Sequence, residues 1–247
     1  MTHPASAGPV DPETIADLAA AARILAARGV VDAFGHVSMR HPDSPERYLM
    51  ARAMAPALVT PDDIVEYDLD GETCEPDPPK GFLERFIHGE IYRARPDVGA
   101  VVHSHSPSVI PFGVTDVPMG AMFHNAAFLA KGVPVFDISQ KFGDTDMLVC
   151  DCPKGVALAE SLGDKDVALM RAHGSVACGP NLQVAVFRAV YTEVSARIQH
   201  WATALAGGGP IAALNQAEGA LADVPNQGAG MRAWDLWRHE IREETGW

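Results

Sequence analysis

Apolar side chains recur along the chain at two spacings, about 3.6 residues in some stretches and about 2 in others, and the switches between them mark its elements. Asp11-Pro12-Glu13 supplies an N-cap, a proline for the first helical position and an acid for the first turn, with Ile15, Leu18, Ile24 and Leu25 following at helical spacing. A first helix ending at Gly29 is predicted. Val30 to Met39 and Tyr48 to Ala51 read as extended, and the turn-rich His41-Pro42-Asp43-Ser44-Pro45 between them predicts a hairpin. Ile64 to Leu69, closed by Asp70-Gly71, repeats strand then turn. After a proline-heavy connector from Cys74 to Gly81, Leu83, Phe86, Ile87 and Ile91 predict an amphipathic second helix that Glu84 opens and Arg95-Pro96 ends.

Val98 to Val102 is a short apolar run ending in His-Ser-His, the pattern of a buried strand that surfaces at its C-terminal end. Val133 to Ile138, Met147 to Cys150, Val167 to Met170 and Ser175 to Cys178 are further strands, and Lys154 to Leu162 is a helix. Asn181 to Ala206 is a long helix whose apolar stripe, from Val184 to Leu205, belongs to a core or a subunit contact. Gly207-Gly208-Gly209-Pro210 stops it, and the tail reads as two helices, around Ile211 to Leu221 and Met231 to Glu243, with a glycine-containing loop between. Strands interleaved with helices predict one α/β unit over residues 1–210, followed by a helical extension over 211–247.

Composition acts mainly by exclusion. A chain of 247 residues that is 47% apolar and 21% charged is an ordinary globular sequence with enough apolar mass for a core. Its 19 Lys plus Arg against 32 Asp plus Glu give −13, which repels phosphate backbones and anionic lipid. Nucleic acid is therefore excluded as a partner, and no apolar run reaches the roughly 18 residues of a membrane helix. An anionic substrate would need a local basic pocket. Cys74, Cys150, Cys152 and Cys178 are too sparse for a disulfide framework and read as reduced thiols. Cys150 and Cys152 stand one residue apart and are assigned to a strand rather than to a zinc knuckle. The N-terminus lacks a secretory pattern, and Asp11, Glu13 and Asp17 argue against a transit peptide, so the expected location is cytoplasmic.

The sharpest chemistry lies in His103-Ser104-His105. Strand residues two apart share a face, so both imidazoles can reach one ion at about 2.0 to 2.2 Å, although two hydrogen-bonded structural histidines would look the same. His173, in Arg171-Ala172-His173-Gly174 between two strands, would complete an open three-histidine site with positions left for substrate. Glu84 either complements the dipole of its helix or serves as general base or further ligand. Two other homes of His-x-His fit poorly. A cupin needs a glutamate that 106–112 lacks, and an amidohydrolase barrel places its pair near the start of a longer chain.

Gly35-His36-Val37-Ser38, Glu84, the run Ile91 to Val98, Ala100-Val101-Val102-His103-Ser104-His105-Ser106-Pro107 and Arg171-Ala172-His173-Gly174 together resemble the class II aldolase/adducin family, over roughly residues 12 to 206. The resemblance implies a three-layer α/β/α fold around a mainly antiparallel sheet, assembled as a homotetramer with active sites at subunit interfaces. It implies that His103, His105 and His173 bind one divalent metal ion per subunit, zinc or manganese with iron and cobalt as alternatives, and that Glu84 is the catalytic acid/base.

Departures from the pattern point to a branch. Sugar-phosphate aldolases of the family carry small hydroxyl and glycine residues after the first hairpin and two serines before the glutamate. Here stand Ala51-Arg52-Ala53 and Phe82-Leu83, so the phosphate cradle is gone, and His124-Asn125 replaces a His-Tyr pair. The run Glu84 to Gly89 and the segment Ser106 to Gly113 are similar instead to decarboxylases of hydroxylated ring dicarboxylates, such as 3,4-dihydroxyphthalate and 3-hydroxy-2-methylpyridine-4,5-dicarboxylate. The expected reaction is decarboxylation, with a non-phosphate aldolase or dehydratase as the alternative and a silent adducin-head-like module third. Glu84 and His124 are the expected catalytic groups. His36, Ser38 and Ser106 are expected to touch substrate, and Arg40, Arg52 or Arg85 to pair with a second carboxylate of it.

Overall fold

A computed structural model describes residues 3–247. Seven strands form one sheet: β1 (His36–His41), β2 (Ser44–Ala51), β3 (Ile64–Asp68), β4 (Ala100–Ser104), β5 (Val135–Phe136), β6 (Val167–Met170) and β7 (Gly174–Gly179). Their order is β3-β2-β1-β4-β7-β6-β5, and every pairing is antiparallel except that of β5 with β6. The helices are α1 (Pro12–Ala27), α2 (Phe86–Ala94), α3 (Ser139–Phe142), α4 (Cys152–Leu162), α5 (Leu182–Ala206) and α6 (Gln216–Thr245).

Period-two alternation sorts the strand residues onto two cores. Val37, Leu49, Ala100, Val102, Leu169 and Ala177 pack with α1, α5 and α6 on one face. Tyr48, Met50, Val101, Ala168, Met170 and Val176 pack with α2 and α4 on the other. This is the expected α/β/α layering. Side-chain caps mark the starts of α1, α4, α5 and α6; Asn181 accepts from the Val184 N–H at 2.9 Å, worth about 1 kcal/mol. Among the described residues no helix is long and apolar enough to cross a membrane.

Four expectations change. Residues 147–150 form no strand; their backbone groups hold functional side chains instead of a ladder, and Cys152 begins α4. Of the run Val30 to Met39 only His36 onward pairs, because Gly35 turns the chain at φ +95°, and of Val133 to Ile138 only Val135–Phe136 pairs. Glu84 sits in the turn before α2. The tail is one helix from residue 216, continuous through Pro225 and the glycines that suggested a break. A Cβ on Gly219 would come within 2.3 Å of Ala130 Cβ, so the missing side chain lets α6 lie against the segment 124–131. Trp234, Trp237 and Ile241 then enter the same core as α1 and α5, and this burial outweighs weak helix propensity. The apolar stripe of α5 divides: Phe187 and Val190 are core, while Trp201 and Leu205 are exposed.

Candidate active site

The C-terminal end of β4 lies between the N-terminal ends of β1 and β7, with His36 opposite His103 and Ser104 opposite Ser175. Val101 and His103 share the α2 face, and His105 follows just past the strand end. His173 stands in the turn between β6 and β7. Gly174 has no room for a side chain there, since a Cβ would lie 2.1 Å from the Ser104 carbonyl oxygen. Ala172, just before His173, is held in the left-handed region at φ +54°. Met147, whose carbonyl accepts from His173, is likewise at φ +67°. Non-glycine residues cost about 1 to 2 kcal/mol each in that region, so strain is concentrated around this histidine.

Three imidazoles and one carboxylate converge. The Nε2 of His105 lies 3.2 Å from that of His103 and 3.0 Å from that of His173. Glu84 Oε2 is 3.3 Å from His173 Nε2 and 3.6 Å from His103 Nε2, and Oε1 accepts from the Val149 N–H at 2.9 Å. The donor atoms of all four groups lie within 4.8 Å of one another. His103 Nδ1 donates to the Ser175 carbonyl at 3.1 Å and His173 Nδ1 to the Met147 carbonyl at 2.9 Å. A carbonyl only accepts, so both Nδ1 atoms carry protons, and each ring in its neutral form turns an Nε2 lone pair inward.

Converging lone pairs repel unless a cation lies between them. Nitrogens about 2.1 Å from one ion stand about 3.0 to 3.4 Å apart in octahedral or tetrahedral geometry, so the observed separations fit a divalent ion. Burial pushes the His103 imidazole down to about 3 despite the nearby Glu84 charge. For Glu84, burial works upward, but the His173 hydrogen bond and the two imidazoles hold its carboxyl at about 2. His173 is pulled down by burial and, more strongly, up by Glu84, ending above its ordinary value. Glu84 is thus charged at neutral pH and His103 neutral, the states that ligation needs.

Beside these donors opens a cavity of about 430 Å³, the size of a small-molecule site. Glu84, His103 and His105 line one part, and Phe34, Met54, Phe82 and Leu83 give it apolar walls. His36 lines it too, its ring 4.6 Å from that of Phe82. Behind His36 runs a buried polar chain: His36 Nδ1 to His88 Nε2 at 2.7 Å, His88 Nδ1 to Ser38 Oγ at 2.6 Å, and Ser38 Oγ to the Tyr92 hydroxyl at 2.7 Å. Burial holds His36 well below its ordinary value, with the neighbouring His88 adding to the effect.

The other expected substrate residues lie elsewhere. Ser38 is buried under His36 and holds His88. Ser106 is buried against Glu193 of α5. Arg40 donates to the carbonyls of Val98, Tyr92 and Arg95 at the far end of β1, over the Tyr92 ring. Arg85 donates to the carbonyls of Gly71 and Phe82, and Arg52 pairs with Asp63 at 2.7 Å. His124 is exposed outside this cavity, its Nδ1 3.4 Å from Asn125 Oδ1. Sequence reading missed Lys80, which lines the cavity from the connector. The −13 charge had called for a local cation, but nothing in the spacing singled out this lysine.

This fold and this convergence of donors define a class. The family described as Class II Aldolase and Adducin N-terminal domain matches residues 16–200, and the chain belongs to it. The Decarboxylase tropJ of Talaromyces stipitatus is 37% identical over 244 residues, covering 90% of this chain and 91% of that protein. A 3,4-dihydroxyphthalate decarboxylase of a Terrabacter species is 31% identical, over 91% of this chain and 94% of its own length. An aldolase II superfamily protein from Pseudomonas syringae shares the fold, with a TM-score of 0.79 at 23% identity over 96% of this chain and 95% of that one. Decarboxylases and aldolases are both lyases, and the chain is placed among them.

Proposed function

We propose that the chain is a divalent-metal-dependent decarboxylase of a hydroxylated aromatic or heteroaromatic carboxylate. The observation that carries this is the meeting of His103, His105, His173 and Glu84 at the wall of a largely apolar cavity. The likeness to decarboxylases along nearly the whole chain supports decarboxylation over aldol cleavage, and so do the apolar Phe82 and Leu83 before Glu84. His103, His105 and His173 would hold the ion, zinc or manganese before iron or cobalt. When bound, it supplies Lewis acidity to the reacting end of the substrate.

The chain's own groups do the rest. Phe34, Met54 and Phe82 exclude water and fit the faces of a ring. Glu84 is charged and held at Oε1 by the Val149 N–H, so Oε2, on the side of His173 and His103, is the oxygen that would take a proton from a ring hydroxyl and return it to the ring carbon. The carbon–carboxylate bond then breaks, its electron pair restores the ring, and carbon dioxide leaves. His36, neutral and backed by His88, presents a hydrogen-bonding group from the cavity wall. The proposal includes a homotetramer. Phe34, exposed at the cavity, and Trp201 and Leu205, exposed on α5, are apolar surface that such an assembly would cover. His124, lying outside its own cavity, would act only at a neighbouring copy's site.

The test is carbon dioxide release from 3,4-dihydroxyphthalate by zinc- or manganese-loaded protein. His103→Ala should bind no metal and release none while keeping its circular dichroism. Full turnover by a metal-free His103→Ala protein would refute the reading. Aldehyde release from a small hydroxy-carbonyl compound, without carbon dioxide release from ring acids, would favour the aldolase.

A further inference from the structure

Among the described residues, the lysines and the arginines expected to meet a substrate carboxylate all have protein partners except Lys80. Of the five lysines, Lys131, Lys141, Lys154 and Lys165 each pair with a carboxylate, Lys131 with Asp166 at 2.8 Å and Lys154 with Asp151 at 2.7 Å. The arginines first in line for a substrate carboxylate are engaged too, Arg52 by Asp63 and Arg40 and Arg85 by backbone carbonyls. Lys80 has no carboxylate partner among the described residues, and it lines the cavity that holds Glu84, His103 and His105. In a chain of net charge −13, an unpaired ammonium at that position is the local cation an anionic ligand requires.

The backbone fixes where this lysine stands. Pro78 and Pro79 stiffen the approach, the Lys80 carbonyl accepts from the Ala53 N–H at 2.8 Å, and Arg85 Nη1 donates to the Phe82 carbonyl at 3.2 Å. The same bonds limit what the anion can be. The Ala53 N–H is spent on the Lys80 carbonyl and the Arg52 N–H on the Asp63 carbonyl at 2.8 Å, so neither is offered to an anion. Met54, Phe82 and Leu83, the neighbouring wall, offer only apolar side chains. Lys80 itself is exposed, and one ammonium beside an apolar wall suits a single carboxylate on a ring.

We propose that Lys80 is the specificity residue of this site, pairing with the carboxylate that the substrate keeps while another is lost at the Glu84 and histidine end. This deepens the decarboxylase reading and rests on it for the identity of the leaving group. The substrate class that follows is the hydroxylated ring dicarboxylate, in preference to the monocarboxylate.

The experiment compares wild type, Lys80→Met and Lys80→Arg, each loaded with manganese, on 3,4-dihydroxyphthalate and on 2,3-dihydroxybenzoate, which lacks the retained carboxylate. Lys80→Met should raise KM about tenfold for the diacid, leave KM for the monoacid unchanged, and alter kcat little for either. Lys80→Arg should restore most of the difference. Equal effects on both acids, or none on either, would overturn the assignment. Equilibrium binding of phthalate and benzoate to the same proteins separates this from the reaction itself. If wild type releases no carbon dioxide from either acid, the decarboxylase reading fails. Lys80 would still be upheld by phthalate binding that weakens about tenfold in Lys80→Met with benzoate unchanged, and overturned by parallel binding of the two.

Discussion

Glu84 shows how much one side chain owes to its surroundings. In water a glutamate would be an ordinary acid; here Val149 holds one oxygen and His173 and His103 face the other. Replacing it with glutamine keeps the shape and removes the charge and the proton acceptor. Glu84→Gln should therefore retain metal by elemental analysis while turnover falls by about 10² to 10⁴, the usual worth of a positioned acid/base. Turnover within a few-fold of wild type would take Glu84 out of the proton path. His103 and His105 could be paired from their spacing alone, because two residues along a strand return to the same face. The arginines could not be sorted that way. Whether a guanidinium meets a substrate, an acid or a carbonyl depends on what folds against it, and Arg40, Arg52 and Arg85 met protein groups.

Elements bring these side chains together through close backbone approach. The turn between β6 and β7 reaches over β4 only because Gly174 has no Cβ to meet Ser104. Gly174→Ala should lower stability by about 1 to 3 kcal/mol in a denaturant titration and weaken metal affinity as His173 is displaced. An unchanged midpoint would mean that the sheet yields without cost. Hydrophobic period located α1, α2, α4, α5 and most strands within a few residues. It failed where tertiary contacts replaced local ones. Residues 147–150 look like a strand because they are apolar, but their backbone groups serve Glu84 and His173. The tail looks broken because glycine and proline punctuate it, yet packing against 124–131 and α5 holds it as one helix.

For the whole molecule, buried neutral histidines make stability depend on acid. His88 is fully enclosed, and burial pushes its imidazole down to about 3, against about 6.5 in an unfolded chain. Between those values the unfolded state binds a proton that the folded state refuses. Stability should be level above about pH 6.5 and fall toward about pH 3, by up to about 1.4 kcal/mol per pH unit for this group. His36 and His103, also held neutral by burial, act in the same direction. Urea midpoints of the metal-free protein between about pH 7.5 and about pH 5 check this. A flat profile would show that the folded chain accepts the proton at His88.

Local chemistry along the chain was enough to set the element types, the two-faced sheet, the His-x-His pair and the family motifs, since each follows from periodicity or from a few adjacent residues. Three-dimensional packing decided the remainder: the Nε2 atoms turned inward by Ser175 and Met147, the polar chain behind His36, the seamless α6 and a Lys80 with no carboxylate partner among the described residues. Those features join residues tens of positions apart, and which groups find partners across such distances is settled only when the whole chain closes on itself.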